Sequence, residues 1–287
     1  MRLHDSVDEF RVVAERVYGR DPIAHTIELT LLGGDGFGDD TLLLTVWRDA
    51  EPVGAAMQTP PYPLVCTGIP RDAVDAVAAD LVDRRTELPG VRGDRPTALR
   101  FAQAWRDRTG QTTTVDTEER LYRLGTLRAP AGVRGSDRLA TADDHELLVD
   151  WVGRFFGESF SRVPNDSGAE FVAAADRKGD RFTLWTVDDV PVSMAMLRAP
   201  AAGVSRIGPV FTPRGFRGNG YGSAVTAAAA QLAHRSDTAD VVLFADLANP
   251  VSNAIYQRIG FEAVADSVRI EFGPSERARS ADTGRVP

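Results

Sequence analysis

The residues best placed to do chemistry lie in Val210-Phe211-Thr212-Pro213-Arg214-Gly215-Phe216-Arg217-Gly218-Asn219-Gly220-Tyr221-Gly222, between a strand-like segment and an Ala-rich helical one. Glycines at 218, 220 and 222 let the backbone approach a ligand closely and take up positive φ. Successive N–H groups at a helix start can then converge on an anion, which the helix dipole also favours. Arg214 and Arg217 add positive charge, and no acidic residue follows in the first turns of the helix. These are the properties of a phosphate cradle. A P-loop requires Gly, four residues, then Gly-Lys-Ser/Thr; Gly215 and Gly220 have the spacing, but Tyr221-Gly222 follows and the magnesium-binding hydroxyl is missing. A dinucleotide fingerprint opens a βαβ unit, whereas antiparallel strands are expected before this loop. A third pattern, Arg/Gln-x-x-Gly-x-Gly/Ala after a strand, is met by Arg217-Gly218-Asn219-Gly220-Tyr221-Gly222. A tight strand-to-helix turn with no ligand is the competing reading.

A second segment runs from Leu243 to Phe261. Asn249 suits an N-cap, Pro250 the first helical position and Gly260 the stop. Spacings of four and three put Asn249, Asn253 and Tyr256 on one helical face. Ile255 and Ile259 face elsewhere, toward a core. A helix needing only stability does not require two amides and a phenol in line, although Tyr256 also reads as a packed aromatic with a solvated hydroxyl.

Together the two segments resemble the signature motifs of the GCN5-related N-acetyltransferases, the GNAT family: the Arg217–Gly222 loop, then a strand and Asn-x-x-(Ser/Ala)-x-x-x-Tyr-x-x-x-Gly-Phe. The resemblance covers roughly residues 137–272 in element order. It implies an α/β fold with a mixed, mostly antiparallel central sheet flanked by helices, and direct transfer of acetyl from acetyl-CoA to a primary amine of a small molecule or peptide. By that resemblance the backbone of Val210, Phe211 and Thr212 bonds the pantetheine arm. The N–H groups of Arg217, Gly218, Asn219, Gly220, Tyr221 and Gly222 hold the pyrophosphate, and Asn249 and Asn253 contact the cofactor arm. Tyr256 protonates the departing thiolate; a phenol of pKa about 10 can serve a thiolate of about 8.5 if it is positioned and desolvated. The family has no fixed position for the base that deprotonates the amine. Glu158 and Asp246 are candidates, and each also reads as a surface or structural carboxylate. No Ser-His-Asp or Cys-His constellation can be placed, so no acyl-enzyme is expected. Two alternatives stay open: a non-catalytic acyl-CoA-binding sensor or regulatory module with the same fold, and an unrelated nucleotide-binding enzyme.

The elements that must position these residues follow from periodicity. Helices are expected over 5–18, 70–85, 95–108, the stretch from Thr141 through Phe156, 167–177, 221–235 and 250–259. Strands are expected over 23–32, 41–48, 53–59, 63–68, 119–125, 181–187, 190–198, 204–211, 241–247 and 261–272. Gly33 to Asp40 reads as a hairpin loop, since a strand rather than a helix follows it. Both halves show a similar order of elements, which suggests duplication and two tandem GNAT-like domains. The expected division is 1–128 as a degenerate GNAT-like domain, 129–136 as a linker, 137–275 as the catalytic domain and 276–287 as a polar disordered tail. The first half lacks both motifs: Cys66-Thr67-Gly68-Ile69-Pro70-Arg71 stands where a loop would, and helix 95–108 has no Asn…Tyr face. Its expected part is to stabilise the active half or complete the acceptor pocket, with Asp49, Glu51 and Tyr62 as candidate lining.

Composition bounds the partners. The chain has 287 residues, 43% hydrophobic and 26% charged, with net charge −8, enough for a substantial core. Scattered arginines in an acidic chain argue against nucleic acid. Single Cys66 excludes an internal disulfide, and His4, His25, His145 and His234 have no metal-ligand spacing. No signal-like or membrane-length apolar run occurs, so a cytoplasmic protein without membrane contact is expected.

Overall fold

The computed structural model describes residues 1–34, 36–84, 86–159, 167–236 and 238–275. The proposed tail, 276–287, lies outside the described residues. The chain forms two compact units, one of Met1–Arg120 with the chain from Ala265 onward, the other of Leu121–Val264.

Unit 1 runs β1 (Arg2–Leu3), α1 (Val7–Tyr18), α2 (Thr26–Leu32), β2 (Leu42–Arg48), β3 (Glu51–Gln58), β4 (Leu64–Val65), α3 (Val74–Asp83), β5 (Gly90–Asp94), α4 (Arg95–Thr109) and most of β6 (Gln111–Leu124). Strands β1 to β4 pair antiparallel in succession, and β4 pairs parallel with β5. Unit 2 begins at the end of β6 and repeats the same order: β7 (Ser136–Leu139), α5 (His145–Ser159), α6 (Gly168–Lys178), β8 (Arg181–Val187), β9 (Val190–Leu197), β10 (Val204–Phe211), α7 (Tyr221–His234), β11 (Asp240–Asp246), α8 (Pro250–Arg258) and the start of β12 (Phe261–Ser275). Again the first four strands are antiparallel neighbours, and the fourth, β10, pairs parallel with β11. The sheet is therefore mixed and mostly antiparallel, with helices on it, as expected.

Each core follows from pattern. In β9 the side chains alternate across the pleat. Ala195 and Leu197 join the cluster with Val225, Ala229, Leu243, Tyr256 and Phe261, while Met194 and Met196 join Trp151, Val152, Phe156 and Phe211. The run of buried alanines in α7, Ala224 and Ala227 to Ala230, lets that helix lie close on the sheet. In unit 1, Phe101 and Trp105 of α4 stack at 6.0 Å within the core that includes Val91, Val268 and Ile270.

Several expectations need correction. Residues 23–32 are not a strand: α2 occupies Thr26–Leu32, with Leu29 and Leu32 buried one helical turn apart, a spacing that competes with the alternation. Strand β4 is two residues long, where 63–68 was expected, and β1, β5 and β7 appear where no strand was expected. Strands β1 and β7 are two and four residues long and β5, Gly90–Asp94, holds two glycines, so none of the three gives a periodic signal. The expected linker ends one residue early, because Ser136 already pairs with Thr186. The unit boundary falls inside β6 and inside β12 rather than at 128 and 275. Both strands are expected in sequence as closing elements of their own half; their length, 14 and 15 residues, lets each serve two units.

Candidate functional site

Strands β10 and β11 create the opening in unit 2. Their parallel register runs from Val204↔Asp240 to Ile207↔Leu243 and stops there. Beyond it β10 continues to Phe211 and β11 to Asp246. Val210 and Phe211 pair with Ala195 and Met194 of β9 on one edge, leaving the other edge outside the β10–β11 ladder. A gap in the strand ladder, the slot, thus starts at one strand pair; β10 leads from it into the glycine loop, and β11 leads into α8.

The loop is braced from within. A short 3-10 turn covers Arg214–Phe216, and Arg217 follows in extended conformation. Arg217 Nε donates to Thr212 O at 2.8 Å, and its Nη2 donates to Glu158 Oε2 at 2.5 Å. Asn219 Nδ2 donates to the carbonyls of Phe216 and Arg217, at 3.1 and 3.2 Å. The Thr212 and Ser193 hydroxyls share a bond at 2.8 Å, and Ser193 Oγ also donates to Phe211 O. Gly218 and Gly220 sit at φ 83° and 82°, the left-handed region that side chains avoid. Gly220 caps α7, and the Ala224 N–H bonds its carbonyl, so the N–H groups of Tyr221, Gly222 and Ser223 precede the helical ladder. No acidic residue stands in that first turn. These features fit a pyrophosphate.

Helix α8 starts on the Asn249 cap, whose side chain accepts from Ser252 N–H at 3.0 Å. Asn253 is fully engaged: Nδ2 donates to Asp246 O and Asn249 O at 2.7 and 2.8 Å, and Oδ1 accepts from the Tyr122 hydroxyl at 2.8 Å. The amide therefore ties β11 to α8, which leaves little of it for a ligand. Tyr256 is 9% exposed, with its ring edge-on to Phe261 at 6.1 Å. Burial pushes its phenol up to about 12, so it is a proton holder at neutral pH.

The two candidate carboxylates have structural duties. Glu158, at the end of α5, holds Arg217 at 2.5 Å and Arg214 at 3.6 Å. The Arg217 hydrogen bond, ahead of the charges of Arg217, Arg214 and Arg154, keeps the Glu158 carboxyl below its ordinary range. A carboxylate so stabilised is a poor proton acceptor, and its position makes it an anchor of the loop. Asp246 is exposed; its Oδ1 accepts from Ala248 N–H at 2.8 Å and shapes the turn into α8. In unit 1, Asp49 lies in the β2–β3 turn, Glu51 faces Arg16 at 3.9 Å, and the Tyr62 carbonyl accepts from Gln58.

Comparison with known proteins finds a family match within unit 2. Residues 145–261 match the family model described as acetyltransferase (GNAT) family, a span that holds the loop, α8 and Glu158. The family match is to this span, less than half of the chain. Solved structures extend the likeness in fold to nearly the whole chain. A GCN5-related N-acetyltransferase from Sphaerobacter thermophilus aligns at TM-score 0.65 and 16% identity, covering 96% of each chain. A GNAT-family acetyltransferase from Colwellia psychrerythraea aligns at 0.63 and 11% identity, covering 95% of this chain and 99% of its own. A tandem GNAT protein from the clavulanic acid biosynthesis pathway aligns at 0.57 and 14%, covering 96% and 100%. No curated protein matches the sequence. Among the described residues no helix is long and apolar enough to cross a membrane.

Sequence reasoning missed one residue that packs against α8. Tyr122, in the last residues of β6, is fully buried against α8, outside the matched span. Nothing in Leu121-Tyr122-Arg123-Leu124 marks it, because its partner stands 131 positions away.

Proposed function

We propose that this protein is an N-acetyltransferase that moves acetyl from acetyl-CoA directly to a primary amine of a small molecule or peptide. The observation that carries the reading is the end of the β10–β11 ladder at Ile207 and Leu243, beyond which β10 leads into the anion-ready loop and β11 into the Tyr256 helix. The N–H groups from Arg217 to Gly222 would hold the pyrophosphate, and the β10 edge that lies outside the β10–β11 ladder, at Val210, Phe211 and Thr212, would bond the pantetheine arm, although the Phe211 and Thr212 carbonyls already accept from Ser193 and Arg217. Asn249, whose oxygen caps α8, would turn its amide nitrogen to the cofactor arm.

In the reaction the amine nitrogen forms a bond to the thioester carbonyl carbon, and the carbon–sulfur bond breaks. Tyr256 gives its proton to the leaving sulfur, and the proton lost by the amine restores it through solvent. A phenol at about 12 suits a sulfur that leaves beside it, because the desolvation that raises the phenol would raise the thiol as well. Asp246, exposed at the end of β11, is the remaining carboxylate candidate to begin deprotonating the amine, since Glu158 is committed to Arg217 and Arg214.

A thermal-shift titration with acetyl-CoA, CoA, ATP and NAD tests the ligand. A ligand at about 100 times its dissociation constant stabilises the fold by roughly 2.7 kcal/mol. Stabilisation by acetyl-CoA and CoA alone supports the reading; a shift with ATP or NAD instead, or none with CoA, contradicts it. Tyr256→Phe then separates an enzyme, which loses turnover and keeps CoA affinity, from an acyl-CoA sensor.

A further inference from the structure

We infer that Tyr122 is a positioning residue for Tyr256, supplied from outside the span that the family model matches. The inference rests on the reading of Tyr256 as general acid. Tyr122 is fully buried, and its hydroxyl is the meeting point of two side chains of α8. It donates to Asn253 Oδ1 at 2.8 Å and accepts from Gln257 Nε2 at 3.4 Å. Asn253 and Gln257 are one helical turn apart, and Tyr256 lies between them in sequence. One phenol thereby clamps the helix on both sides of the proposed acid, while the Tyr122 ring lies 6.5 Å from the Tyr256 ring at 58°.

The clamp has a second consequence. With Asn253 Oδ1 held by Tyr122, the Asn253 amide nitrogen must face the carbonyls of Asp246 and Asn249. That orientation joins the end of β11 to the first turn of α8, and so sets how far the phenol of Tyr256 reaches along the slot. Phenylalanine at 122 would fill the same space but leave Asn253 Oδ1 and Gln257 Nε2 without this partner. Asn253 could then turn its amide, and α8 would lose its fixed azimuth about its own axis. Small displacements of a catalytic group suffice to slow a proton transfer, because the transfer requires hydrogen-bond reach.

The test is a double-mutant cycle with Tyr122→Phe, Tyr256→Phe and the pair, following kcat, acetyl-CoA affinity and melting temperature. The inference expects Tyr122→Phe to lower kcat about tenfold while acetyl-CoA affinity holds. It further expects the pair to be no slower than Tyr256→Phe alone, since the clamp acts only through that hydroxyl. A loss that multiplies in the pair, or a wild-type rate in Tyr122→Phe, overturns the inference and leaves the acid assignment standing. Undiminished turnover in Tyr256→Phe overturns the acid assignment and the inference with it. If Tyr122→Phe does not fold, Gln257→Leu removes one arm of the clamp, and the same non-additivity with Tyr256→Phe decides.

Discussion

Helices α4 and α8 hold the same place in their units, and each starts on a side-chain cap. Asp94 accepts from Thr97 N–H at 3.3 Å, and Asn249 from Ser252 N–H at 3.0 Å. At equal distance from the cap stand Phe101 in unit 1 and Tyr256 in unit 2, both buried. The strand pairs differ as well. In unit 1 the Cys66 N–H still bonds Arg92 O at 2.8 Å past the end of β4, and a Cβ on Gly93 would come within 2.7 Å of Cys66 Sγ. In unit 2 the matching strands part after Ile207 and Leu243. Helix α3 opens on Ala73 with Asp75 in its first turn, while α7 opens on Gly220 with no acid. One order of elements thus gives a strand pair still bonded past β4, with a phenylalanine on the following helix, in one unit, and strands that part, with a phenol on the following helix, in the other. The order of elements carries the fold, and on the proposed reading the few residues at the slot carry the chemistry.

The sharpest way to break the comparison is at its single hydroxyl. Tyr256→Phe makes unit 2 resemble unit 1 at that position, and kcat should fall about a hundredfold with CoA affinity unchanged. Steady-state kinetics beside calorimetric titration check both halves of the statement. Next comes the loop. Gly220→Val places a branched side chain at φ 82°, where even a Cβ would meet Val133 Cγ2 at 3.1 Å. The roughly 2.7 kcal/mol of stabilisation expected from CoA at about 100 times its dissociation constant should disappear from the melting curve. Cys66→Ala in unit 1 should leave that stabilisation intact.

A smaller effect concerns the approach to α5, the helix that carries Glu158. Asp144 is buried, and the Arg138 guanidinium, with help from Thr141, holds its carboxyl at about 2. A depressed carboxylate stabilises the fold above its unfolded value of 3.8, and the benefit is lost as pH falls through about 2. Asp144→Asn should therefore cost on the order of 2 kcal/mol in urea unfolding at neutral pH, with the gap from wild type closing toward pH 2. The smallest expected change is none. Since burial pushes Tyr256 up to about 12, kcat should hold between about pH 8 and 10, where an ordinary tyrosine would begin to ionise. A fall there would place the phenol in a wetter site.

The helix caps and the glycine loop were legible in sequence because their signals are local. Asn249, Pro250 and Gly220 each act on the backbone beside them. Arg217 was legible as a loop residue, but its bond to Glu158 spans 59 positions and turns a candidate base into an anchor. Asn253 was legible as sharing a face with Tyr256, whereas its full set of partners depends on β6 and β11. Thr26–Leu32 misled because Ile27, Leu29 and Leu31 alternate like a strand while Leu29 and Leu32 share a helical face. The division at β6 and β12 was hidden because a long strand looks the same in sequence whether it serves one unit or two.

Isothermal titration of the full chain with CoA tests the central claim most directly. The account predicts one CoA per chain, with binding abolished by Gly220→Val and retained in Tyr256→Phe. Two equivalents per chain, or one that survives Gly220→Val, would contradict it.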